Sequence, residues 1–185
     1  MPLSETEEAP RDDAPPTTAK DLDADRELFA QAVTINRPAA DLYAYYRDFA
    51  NLPTFMENVV SIDVLNGTRS HWVVKAPGGR TVEWNAVVTE ERENEAIYWQ
   101  SEDGADVPNS GRITFRDAGA RGTVVTATIA YDPPGGTIGK LIAKMFQREP
   151  AIQARRDLRR FKQLMETGEI ATPAMNAKQF EEMGL

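Results

Sequence analysis

The chain has 185 residues, 41% of them hydrophobic and 27% charged, which is enough for one domain with a real core. It contains no cysteine, which excludes disulfides, thiolate nucleophiles and cysteine-held zinc and fits a reducing cytoplasm. Its net charge of -8 argues against nucleic acid and anionic lipid as partners, and no run approaches the ~18 apolar residues of a transmembrane helix.

Residues 1–25 are rich in Pro, Glu, Asp and Thr and nearly free of large apolar groups, with no signal-peptide core. Such a segment buries too little surface to offset its ordering entropy, so a disordered acidic tail is expected there. Residues 26–170 form the expected folded domain, and 171–185 a second tail in which Phe180 and Met183 are the apolar contacts.

The domain opens with a strand, LFAQAVTINRP, ended by Pro38. The period then changes. Leu42, Tyr45 and Tyr46 recur at helical spacing, Phe49 and Leu52 continue the face, and Pro53 breaks it before a short turn with Phe55 and Met56. From Val59 the period returns to two. Strands separated by Asn66-Gly67, Gly78-Gly79 and the AGARG loop run through to Tyr131. Asp132-Pro133-Pro134-Gly135-Gly136 stops them, and a long helical region follows, kinked or split at Pro150 and ended by Gly168. Clustered antiparallel strands followed by one helix make the fold α+β, a curved sheet wrapped around the C-terminal helix.

Strand phase assigns the faces. Trp72 and Val74, then Trp84 and Ala86, then Trp99 and Ser101 share the apolar side of three successive strands, opposite Met145, Phe146, Leu158 and Phe161. Two arrangements satisfy this pattern: an aromatic-lined pocket for a small apolar molecule, or a core that the rings simply fill. Tyr45, Tyr46, Asn85, Ser101, Ser110 and Arg155 are the polar candidates to orient a ligand; of these Ser101 has the inward strand phase, and Arg155 lies beside the apolar stripe, where an arginine more often reaches out to solvent. The expected lining is therefore Trp72, Val74, Trp84, Ala86, Trp99, Ser101, Tyr45, Met145, Phe146, Arg155 and Leu158.

Nothing in the pattern assembles a catalytic set. The single histidine, His71, has the phase opposite Trp72 and shares it with Glu83, a surface pair unless a bulge turns both inward. One histidine and no cysteine leave no zinc or iron site, and Glu102, Asp103 and Asp106 lack calcium-loop spacing. No metal and no cofactor are expected. The GADVPNSG loop is either a lid or a rigid connection. Arg148, Arg155, Arg156, Arg159, Arg160 and Lys162 form a basic stripe whose ordinary explanation is a solvated helix face.

Five segments carry a resemblance to a known family: INRPAADLYAYYRDFANLPTFM, SHWVVKAPGGRTVEWNA, GADVPNSGRITF, YDPPGG and DLRRFKQLMETGEI. Across residues 27–172 the chain resembles the polyketide cyclase/dehydrase-like proteins of the START-related helix-grip (SRPBCC) superfamily. The resemblance implies a curved seven-stranded antiparallel sheet around a long C-terminal helix, with two short helices between strands 1 and 2. It also implies a small hydrophobic ligand, lipid- or polyketide-like, held between sheet and helix. Cyclase or dehydratase activity rests on the resemblance alone, and docking to a partner or membrane through the tails and the basic stripe is the third alternative.

Overall fold

The computed structural model describes residues 27–132, 135–136, 139–140 and 150–170. Both expected tails, Met145 and Phe146 lie outside the described residues, as does Arg148.

Seven strands form one antiparallel sheet: β1 (Glu27–Ile35), β2 (Val59–Val64), β3 (Arg69–Ala76), β4 (Arg80–Arg92), β5 (Ala96–Ser101), β6 (Asn109–Asp117) and β7 (Thr123–Tyr131). Their spatial order is β1-β7-β6-β5-β4-β3-β2. Strands 2 to 7 thus meander by hairpins, and β1 closes the far side by pairing with β7 from Glu27↔Tyr131 to Ile35↔Thr123. Helix α1 (Ala39–Arg47) and a 3-10 helix (Phe49–Thr54) link β1 to β2. Helix α2 (Pro150–Thr167) packs on β1.

The expected break at Pro53 falls elsewhere. Helix α1 already ends at Asp48, whose extended backbone and side-chain acceptor for the Ala50 N–H start the 3-10 helix, and Pro53 lies inside that helix. The buried face of α1 is Leu42, Tyr43 and Tyr46, with Tyr45 at its margin. Pro150 begins α2, the position where a missing N–H costs nothing. Gly168 has φ +78° and donates its N–H to the Leu164 carbonyl, closing the helix in the left-handed conformation glycine favours. At the β6–β7 turn, Gly122 (φ +96°) has its α-carbon side against Ile35 and Asn36, so the turn fits only without a β-carbon.

The core lies between α2, α1 and the concave face of the sheet. Phe161, fully buried, stacks on Phe55 at 4.7 Å between ring centroids and meets Tyr46 edge-on at 5.8 Å. Val33, Ile35, Ile97, Ile113, Phe115 and Val125 supply the sheet side. A polar clasp fixes the helix end: Lys162 Nζ donates to the Thr34 carbonyl (2.6 Å), Asn36 N–H to Glu166 Oε1 (2.8 Å), and Arg37 Nε to the Met165 carbonyl (2.8 Å).

Phe161→Ala removes a ring that three aromatics and the sheet enclose. Large-to-small changes of this kind cost about 3–5 kcal/mol. The expected outcome is a matching loss in unfolding free energy by urea titration, and an unaltered stability would mean that α2 does not seat on the sheet through this ring.

Candidate functional site

Trp72 on β3 stands directly opposite Trp84 on β4. Their indoles stack almost parallel, 12° between planes and 6.2 Å between centroids, and Phe49 meets Trp72 edge-on at 6.0 Å. Trp72 donates its indole N–H to Ser70 Oγ (2.9 Å), two residues back on the same face, and Ser70 is buried. Trp99 on β5 shares this face, because Val88↔Trp99 and Ala86↔Ser101 continue the register. Its ring lies across Gly111 on β6, where a β-carbon would collide with the ring edge and come within 2.6 Å of the Thr128 carbonyl. Glycine at 111 is what lets the indole lie flat over the neighbouring strand. All three indoles remain half-buried.

The tryptophans bridge two apolar clusters. Trp72 and Trp99 pack against the main core around Phe161. Trp84 packs against a second cluster of Val74, Val82, Val107 and Tyr131. Val107 belongs to the GADVPNSG loop, and this contact decides between lid and rigid connection. Asp106 N–H donates to the Glu83 carbonyl, Asp106 Oδ2 accepts the Glu83 N–H (2.8 Å), and Ser101 Oγ accepts the Asn109 N–H (2.9 Å). The loop is sewn to β4 and plugged by Val107. Beside it lies a polar cleft of about 340 Å³ whose walls include Gln100, Glu102, Asn109, Ser110 and Asp132.

The remaining sequence candidates separate. Val74, Ala86 and Leu158 are buried, Val74 in the second cluster and Leu158 in the first. Tyr45 stacks on Phe161 at 6.2 Å and hydrogen-bonds Thr54 through its hydroxyl (2.8 Å). Arg155, Arg156 and Arg159 are exposed, whereas Arg160 donates to the Phe55 carbonyl and Lys162 to Thr34, so part of the basic stripe serves the fold. His71 faces outward, bonded through Nδ1 to Asn85 (2.8 Å) and 3.7 Å from Glu83. Glu102 forms a two-pronged pair with Arg69 (both bonds 2.7 Å). Among the described residues no group of acidic or histidine side chains is arranged to hold a metal.

Two features escaped the sequence pattern. A bulge between Val88 and Glu90 shifts the phase of β4, so that Glu91 pairs with Ile97 and turns toward α1. There it accepts Tyr43 Oη and Arg47 Nε, both at 2.6 Å. These bonds hold the Glu91 carboxyl below the usual range, while burial and that same carboxylate push the Tyr43 phenol up to about 12. The second is Asp157 on α2, whose Oδ1 accepts from Gln153 Nε2 (2.9 Å) and the Glu57 N–H (3.4 Å). It sits beside buried Tyr46, whose phenol is pushed up by burial first and then by the Asp157 charge. Asp157 lies one turn before Phe161 in the stripe that seats the helix, a spacing that marks it as inward-facing despite its arginine neighbours.

The family profile described as polyketide cyclase/dehydrase and lipid transport matches residues 26–166. A structural-genomics protein from Deinococcus radiodurans is 40% identical, with 77% of this chain and 99% of that chain aligned at a TM-score of 0.64. The Zhui aromatase/cyclase from a Streptomyces species is 11% identical and covers 79% of this chain and 99% of its own, with a TM-score of 0.62. A START superfamily protein from Mycobacterium smegmatis is 16% identical over 71% of this chain and 97% of its own, at 0.52. The last two likenesses establish the fold alone. No curated protein matches the chain.

Burial pushes the Asp157 carboxyl up to about 6, against the pull of its two donors and of Arg160. A folded value above the ordinary ~4 means that the native state binds this proton more tightly than the unfolded chain does. The associated stability is fully present below about pH 4 and is lost as the pH rises through 6. Asp157→Asn keeps a carbonyl acceptor and cannot ionise. Relative to the native chain, the variant's unfolding free energy from urea titration should rise by about 2 kcal/mol between pH 4 and pH 7. Parallel curves for the two proteins would contradict this placement.

Proposed function

Because the chain belongs to the polyketide cyclase/dehydrase and lipid transport family, we propose that it binds a small hydrophobic molecule between the sheet and the C-terminal helix. The observation that carries this reading is the set of three half-buried indoles on one concave face, Trp72, Trp84 and Trp99. Indoles that merely filled a core would be covered, as Phe55 and Phe161 are. Val74, Ala86, Tyr45 and Leu158 complete the apolar surround, with Ser101 at its polar rim and Arg155 on the exposed side of α2. Trp72 and Trp84 offer a rigid aromatic surface at little entropic cost. The lack of cysteine suits a reducing compartment, and a cytoplasmic location is part of this reading.

Asp157 and Tyr46 favour a second reading, a cyclase- or dehydratase-type enzyme. A carboxyl whose pKa lies near 6 is tuned toward the range in which a side chain can both give and take a proton. In that case Asp157→Asn would abolish turnover of an identified substrate while leaving its binding intact.

Native mass spectrometry of freshly purified protein, with analysis of its organic extract, tests the binding reading. The expected result is a stoichiometric apolar adduct, and re-addition of the extracted compound at ~100-fold above its Kd should stabilise the protein by about 2.7 kcal/mol. A clean apo mass together with no thermal shift from any apolar aromatic probe would overturn it.

A further inference from the structure

The turn between β2 and β3 holds a reactive pair of residues, Asn66 and Gly67. Asn66 is the only asparagine in the chain that a glycine follows, and both residues are exposed. A bond from the Gly67 backbone nitrogen to the Asn66 side-chain amide carbon closes a five-membered ring. Nothing occupies that nitrogen. The Gly67 N–H donates to no acceptor among the described residues, and glycine has no β-carbon to shield it. The amide oxygen is the opposite case. Asn66 Oδ1 accepts the N–H groups of Thr68 and Arg69 (2.9 Å each) and the Thr68 hydroxyl (3.3 Å). Donors already aimed at an oxygen stabilise the negative charge that gathers on it when its carbon is attacked. The leaving nitrogen, Asn66 Nδ2, has no partner among the described residues, whereas Asn51 and Asn109 donate theirs to the Tyr45 and Val107 carbonyls.

We propose that Asn66 is a self-modification site, converted without an enzyme to aspartate and isoaspartate. The Gly67 nitrogen loses its proton to a solvent base and bonds to Asn66 Cγ. The Cγ–Nδ2 bond breaks, and Nδ2 leaves as ammonia with a proton taken from water. Water then opens the resulting succinimide ring at either carbonyl. The net change is one water consumed and one ammonia released, with nothing oxidised or reduced. The two products act differently on the hairpin. Aspartate keeps the main chain and both backbone bonds to Oδ1. Isoaspartate routes the main chain through the former side chain and lengthens it by one carbon. That displaces the Gly67 carbonyl, which accepts Arg47 Nη2 (2.7 Å), and Arg47 in turn holds Glu91 together with Tyr43. The site therefore couples a slow covalent change to the tether of α1.

The test is peptide mass mapping of the full chain after incubation in mildly alkaline buffer at physiological temperature. Conversion of amide to acid should run at Asn66 roughly tenfold ahead of every other asparagine, a difference of about 1.4 kcal/mol in the barrier. It should quicken as the pH rises, because the nucleophile is the deprotonated nitrogen. An endoprotease that cleaves before aspartate but not before isoaspartate separates the two products. Gly67→Ala should slow the conversion roughly tenfold by shielding the nitrogen. That variant folds, since Gly67 lies outside the left-handed region and nothing stands within 4 Å of the added β-carbon. The isoaspartate fraction should unfold at a lower urea concentration than untreated protein, and Asn66→Asp should unfold with the native chain. Modification spread evenly over the asparagines would overturn the proposal. So would an Asn66 that survives in the native chain while the urea-unfolded chain loses it, because the three donors would then lock the amide away from Gly67. An isoaspartate fraction as stable as untreated protein would overturn the coupling to α1.

Discussion

The seating of α2 against β1 is the constraint on which the rest of the structure depends. A seven-stranded meander has one apolar face and needs something to cover it. Phe161 and Leu158 provide that cover from the helix, and Phe55 and Tyr46 from the β1–β2 connection meet them there. The polar clasp of Lys162, Glu166, Asn36 and Arg37 then sets the helix axis against the edge of the sheet. Apolar contact supplies the driving force, and the hydrogen bonds supply the angle. Because the helix is anchored at the β1 edge, the tryptophan-bearing strands β3 to β5 lie on the other side of the same concavity.

The tryptophan face follows from that arrangement. The Trp72–Trp84 stack joins the main core to the smaller cluster under the loop carrying Val107, so the two ends of the sheet behave as one packed body. Ser70 and Gly111 are small residues with large consequences. One satisfies the Trp72 donor, and the other makes room for Trp99. The indoles are thus held by their neighbours in fixed poses while part of each ring stays uncovered, which is the physical requirement for a preorganised apolar surface.

Asp157 introduces a different kind of constraint. A carboxyl set in the packing stripe of α2 weakens the native state at neutral pH, since its charged form is poorly solvated there. The glutamate at 91 shows the opposite solution. The bulge in β4 delivers it to a tyrosine and an arginine, and its charge tethers α1 to the sheet. One carboxylate is held ionised by its donors and the other is pushed toward the neutral form by burial.

Local pattern by itself determined a great deal about this protein. Period-two alternation from Val59 to Tyr131, glycine turns and a closing amphipathic helix specify the seven strands and their faces, because strand phase is a property of consecutive residues. The three tryptophans and the outward histidine were legible for the same reason. Only the tertiary structure decided what local spacing does not encode. Helix α1 ends at Asp48 rather than at Pro53 because a side-chain cap starts a new turn there. The bulge that redirects Glu91, the loop that Val107 pins down and the burial of Asp157 beside Tyr46 all depend on which surfaces meet. Contacts between residues far apart in sequence carry no period, so they emerge only once the sheet has curled and the helix has been laid across it.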